Sequence, residues 1–67
     1  MDKRRIDIAA MRRYVVERGI RFGWIANEAG MTKNAMTLTM QGKREVKANE
    51  YVGICDALGV GLDTFVV

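Results

Sequence analysis

The stretch Ile25-Ala26-Asn27-Glu28-Ala29-Gly30-Met31-Thr32-Lys33-Asn34-Ala35-Met36 decides how this chain folds. Gly30 stops one helical run, and Thr32 is a suitable cap for the next. The earlier helix runs from Arg21 or Phe22 to Ala29. The later one begins after Thr32 and ends near Gln41, before Gly42. At about 100° per residue, Ala35, Met36, Thr39 and Met40 share one face of the later helix. Lys33, Asn34, Thr37, Leu38 and Gln41 collect on the opposite side. The first set is small or apolar and suited to packing. The second offers donors, a hydroxyl and one aliphatic side chain to whatever lies outside.

Working outward, the glycines punctuate short helices. A first helix is predicted from about Ile6 to Arg18, stopped by Gly19, with Ile8, Met11, Tyr14 or Val15, and Arg18 at helical spacing. A fourth spans about Lys47 to Leu58 and stops at Gly59. The tail Leu62-Asp63-Thr64-Phe65-Val66 is expected to add a last helical turn over the core. Proline is absent and β-branched residues rarely alternate with polar ones, which argues against strands. Five short helices in this order make a compact all-α domain spanning residues 1–67.

Composition narrows the functional classes. In 67 residues the core is thin, because folding at this length buries only about 60% of the unfolded surface. One cysteine and no histidine exclude an internal disulfide and a Cys/His zinc site. Cys55 lies in an apolar run and reads as a small core residue. Without histidine, metal motifs or a Gly-rich phosphate loop, no catalytic constellation can be assembled; neither cofactor nor metal is expected. No apolar run approaches a membrane span, and the unpaired thiol suits a reducing cytoplasm. The net charge of +3 is unevenly spread. Residues 1–44 carry ten Lys/Arg against four acids, a balance of +6, while residues 45–67 carry one against four, a balance of −3. Such one-sidedness fits either a polyanion-binding surface or an uneven solvated one.

The quoted stretch resembles the helix-turn-helix core of the phage repressor, Cro-like and XRE family. In that family a small residue, here Ala26, lets two helices cross closely, and a turn glycine follows, here Gly30. An apolar residue (Met31), a cap (Thr32) and an apolar anchor (Met36) come next. Gln41-Gly42-Lys43-Arg44 is similar to the family's polar-Gly-Lys-Arg exit from the recognition helix. Ala57-Leu58-Gly59-Val60-Gly61-Leu62-Asp63-Thr64-Phe65 is similar to its common ending, and Glu17-Arg18-Gly19-Ile20 to the usual end of its first helix. The resemblance covers about residues 8–66 and implies a five-helix bundle of the lambda-repressor-like type.

It also implies a function: sequence-specific binding of double-stranded DNA by a small Cro- or repressor-like transcriptional regulator of phage or mobile-element kind. The recognition helix, about residues 32–41, would enter the major groove. Lys33 and Asn34 lead as base readers, with Thr37 and Leu38 a turn later. Arg21, Thr32, Gln41, Lys43 and Arg44 are the expected phosphate contacts. Lys3, Arg4 and Arg5 form a basic arm, either lying along the DNA or solvated as a flexible tail. One such domain covers half an operator, so a homodimer on a two-fold site is expected. Leu62, Phe65, Val66 and Val67 are either its interface or the lid of the core. The chain is then a complete Cro-like protein or the DNA-binding end of a longer repressor.

Two departures from the family pattern stand out. Its second helix usually opens with a Ser/Thr/Asn cap and a phosphate-binding Gln; here those places hold Arg21 and Phe22, followed by Gly23 and Trp24. Trp24 is expected to close over the core, with a partner surface as the alternative. Many members also pair an Arg of the first helix with a Glu near the end of the recognition helix. Val15 and Met40 occupy those positions, so packing replaces the ion pair and the two are expected to touch. Trp24, Phe22 and Leu38 keep open the alternative of an antirepressor-like domain that binds protein.

Overall fold

The computed structural model describes residues 5–67, and its secondary structure is helical apart from one isolated bridge. Four helices follow in order: α1 (Ile8–Glu17), α2 (Phe22–Glu28), α3 (Lys33–Met40) and α4 (Ala48–Leu58). The radius of gyration is 11.0 Å, matching the roughly 11 Å of a folded chain this long. α2 packs on both α3 and α4, and α1 packs on α3.

Each helix end has a local cause. Asp7 caps α1, its carboxylate accepting from the Ala10 N–H at 3.0 Å. Arg21 occupies the N-cap of α2, but its side chain makes no capping bond. Thr32 caps α3, its hydroxyl accepting from the Ala35 N–H at 3.0 Å. Glu50 reaches back from the first turn of α4 to accept from the Lys47 N–H at 2.9 Å. Between α2 and α3, Gly30 takes φ +71°, a left-handed conformation that costs a side-chain-bearing residue about 1–2 kcal/mol. That reversal lets the Met31 N–H bond the Ala26 carbonyl at 2.8 Å and aims α3 away from α2.

The core gathers one side of every helix. Met11, Val15, Ile25, Ala26, Met36, Met40, Tyr51, Ile54, Cys55 and Phe65 are buried together. Val15 and Met40 thus lie in one sealed cluster, and Cys55 is a core thiol. Met36, Thr39 and Met40 form the buried face of α3. A Cβ built on Gly53 of α4 would lie 3.0 Å from the Ala29 Cα and 3.2 Å from its Cβ. The bare glycine therefore sets how closely α4 approaches the end of α2.

The expected fifth helical turn is not a helix. Residues 62–65 form turns, with Thr64 N–H bonding the Gly61 carbonyl at 3.2 Å and Val66 N–H the Asp63 carbonyl at 3.3 Å. Val66 then pairs antiparallel with Ile6. The Asp7 N–H bonds the Phe65 carbonyl at 2.6 Å, and the Val67 N–H bonds the Arg5 carbonyl at 2.9 Å. Six residues after Gly61 are too few to nucleate a helix well, and the extended start of the chain offers the β-branched Val66 and Val67 a ready ladder. Phe65 still covers the core, edge-on to Tyr14 at 5.5 Å between ring centroids. Tyr51 ties the tail to α4 by donating to the Leu62 carbonyl at 2.6 Å. Its burial, with the neighbouring Cys55, pushes the phenol up to about 12.

Candidate nucleic-acid interface

α3 offers one outward face, and the core anchors it from behind. Lys33 and Asn34 stand exposed at its N-terminus, and Gln41 is exposed at its C-cap. Thr37 and Leu38 between them are half-buried. The Thr37 hydroxyl donates to the Lys33 carbonyl at 3.0 Å, leaving its oxygen free to accept. Among the described residues, no hydrogen bond engages the side chains of Lys33, Asn34 or Gln41. The helix head is backed by α2: a Cβ on Gly23 would meet the Lys33 Cδ at 3.7 Å. The Lys33 stem therefore runs beside the first turn of α2, close in sequence to Arg21.

The exit from α3 is basic and ordered. The Gly42 N–H bonds the Thr39 carbonyl at 3.0 Å, and the Lys43 N–H bonds the Leu38 carbonyl at 2.9 Å. Lys43 is exposed beside this turn. Lys43 and Arg44 line an open groove of about 780 Å³ with Arg5, Ile6, Ile8, Gly42, Glu45 and Val46. Arg5 therefore shares this groove with Lys43. Lys3 and Arg4 lie outside the described residues. Arg5 is exposed, and its carbonyl accepts from the Val67 N–H at 2.9 Å.

Arg44 is engaged within the fold. Its Nη1 donates to Thr39 Oγ1 at 2.9 Å and to Glu50 Oε1 at 3.1 Å, and its Nη2 donates to Glu50 Oε2 at 3.2 Å. Thr39 Oγ1 in turn donates to the Ala35 carbonyl at 2.8 Å. The guanidinium, then the Lys47 N–H, hold the Glu50 carboxyl below its usual range, against the upward push of partial burial. Sequence reading had no place for Glu50; an acid at the third position of α4, six residues after Arg44, was the available signal.

Trp24 does not close over the core. Half its surface is exposed, and with Ile20, Arg21, Ala57 and Leu58 it lines an apolar groove of about 410 Å³. The core beneath α2 is already filled by Ile25 and Ala26, which leaves the neighbouring indole outside. Of the tail, Leu62 and Val67 are exposed, Val66 is half-buried and Phe65 is core.

No protein-family profile, characterised protein or solved structure matches this chain. No helix among the described residues is long and apolar enough to cross a membrane.

Proposed function

We propose that the chain is a lambda-repressor-like helix-turn-helix domain that binds duplex DNA in a sequence-specific manner, acting as a transcriptional regulator. The observation that carries this reading is the outward face of α3, where Lys33, Asn34 and Gln41 are exposed and unengaged while Met36, Thr39 and Met40 anchor the helix. A helix anchored on one face, with free donors at its head, is what the major groove admits. Lys33 takes guanine acceptors, Asn34 takes adenine, and Thr37 and Leu38 supply hydroxyl and methyl contacts. Lys43, Gln41, Arg21 and the Thr32 cap hold phosphates, and they carry most of the affinity. The chain acts as a homodimer on a two-fold operator, because one α3 covers one half-site.

Selection of bound duplexes from a random pool, followed by titration at several salt concentrations, tests this. A recovered consensus and an affinity that falls steeply with salt are expected. The exposed Trp24 groove favours a second reading, a helix-turn-helix domain that docks on protein. Binding that is blind to DNA and abolished by Trp24→Ala would select it.

A further inference from the structure

The Gln41–Lys47 loop joins the proposed recognition helix to α4, and one side-chain chain spans it. From the middle of α3 it runs Ala35 carbonyl, Thr39 hydroxyl, Arg44 guanidinium, Glu50 carboxylate, then Lys47 N–H, each link 2.8–3.2 Å long. The Arg44 side chain is 26% exposed and that of Glu50 14%. Both terminal nitrogens of the guanidinium are bonded to Glu50, and Thr39 is wholly buried.

We propose that Arg44 and Glu50 are positioning residues: they latch the turn that presents Lys43, and Arg44 does not itself hold a phosphate. Three observations carry this. The fork's geometry is bidentate, which a planar guanidinium provides and a lysine ammonium does not. The latch spans the residues that orient Lys43, whose own N–H is tied to the last turn of α3. Glu50 neutralises Arg44 where a phosphate would have to displace it. Arg44 thus sits in a basic run yet adds little free charge to the surface, while Lys43 beside it remains free to meet the backbone of the duplex.

This inference rests on the DNA reading for its consequence, but the latch itself has an independent readout. Arg44→Lys, Arg44→Met and Glu50→Gln are compared with the native chain by duplex titration across salt and by amide exchange at Lys43. A phosphate-binding Arg44 would make Arg44→Lys nearly silent, Arg44→Met shallower in salt by about one unit of slope, and Glu50→Gln tighter. The latch predicts the reverse. Arg44→Lys and Arg44→Met weaken binding alike, by roughly tenfold, with slopes near the native one. Glu50→Gln, the mildest variant for folding, weakens binding although it removes a negative charge. In all three variants Lys43 N–H exchange accelerates while the core amides of Ile25 and Ile54 stay protected. Native-like affinity in Arg44→Lys, tighter binding in Glu50→Gln, or unchanged Lys43 exchange overturns the proposal. A native chain that binds no duplex at low salt overturns the DNA reading instead, and the exchange measurement still decides the latch.

Discussion

Thr39 Oγ1 accepts a hydrogen bond from Arg44 Nη1 at 2.9 Å while donating to the Ala35 carbonyl at 2.8 Å. A buried hydroxyl in the last turn of α3 thereby both donates and accepts. Thr39→Val keeps the shape and removes both bonds, one of them to a charged donor. Urea unfolding should register a loss of about 1.5–3 kcal/mol. A change within 0.5 kcal/mol would show that the hydroxyl contributes nothing beyond its volume.

The two glycines inside helices should respond oppositely to the same substitution. Gly23→Ala adds a methyl at ordinary contact distance from Lys33 and gains helix propensity, so stability should rise by up to about 1 kcal/mol. Gly53→Ala gains the same propensity but drives its methyl to 3.0 Å from the Ala29 backbone. Overpacking costs of about 1–3 kcal/mol should exceed that gain. Denaturant midpoints of both variants check the pair, and a stabilised Gly53→Ala contradicts the close approach.

Gly30→Ala isolates backbone conformation, since its methyl would meet nothing within 4 Å. At φ +71° the variant should lose about 1 kcal/mol or more, and Gly30→Asn should lose less. Equal stability of the three would remove the requirement for a left-handed turn between α2 and α3.

Stability should fall at both ends of the pH range, for separate reasons. The Arg44 guanidinium, then the Lys47 N–H, lower the folded carboxyl of Glu50, so its contribution is complete above the unfolded carboxylate range. It is lost as pH falls through the folded value, and Glu50→Gln should flatten that acid limb. Burial pushes Tyr51 up to about 12, so its contribution is complete below its ordinary value near 10 and lost as pH rises toward 12. Tyr51→Phe should remove this alkaline limb and cost about 1 kcal/mol at neutral pH through the lost bond to Leu62. Unfolding curves across pH test both.

Local signals made much of this fold legible. Gly30, Thr32 and Gly59 mark helix ends by conformation and capping, which depend on nearest neighbours, and α3's two faces follow from helical geometry alone. Burial of Val15 and Met40 followed from both being apolar at core positions. What the chain concealed depends on distant partners. Val66 pairs with Ile6 from the opposite end of the sequence, so the tail could not be read by its own propensity. Gly53 needs Ala29 to explain it. Arg44 resembled any exposed cation in a basic run until Glu50 met it. Trp24 stays outside because the adjoining Ile25 and Ala26 fill the space beneath α2, which its own residue type does not disclose.

On the proposed reading, Lys33 serves specificity and Lys43 affinity. Lys33→Ala should relax preference at one base position, costing about 1–3 kcal/mol on the best site and little on others. Lys43→Ala should weaken all sequences alike. A selection repeated with each variant distinguishes them; loss of preference from Lys43→Ala would invert the assignment.

The most direct test of the central claim is the affinity of the native chain for its selected duplex, measured from low to physiological salt beside a scrambled duplex of equal length. The account predicts steep salt dependence for both, a slope about one unit shallower in Lys43→Ala, and a margin of about 10³-fold or more for the selected sequence. Affinity that is indifferent to salt, or equal for the two duplexes, would contradict a DNA-reading α3.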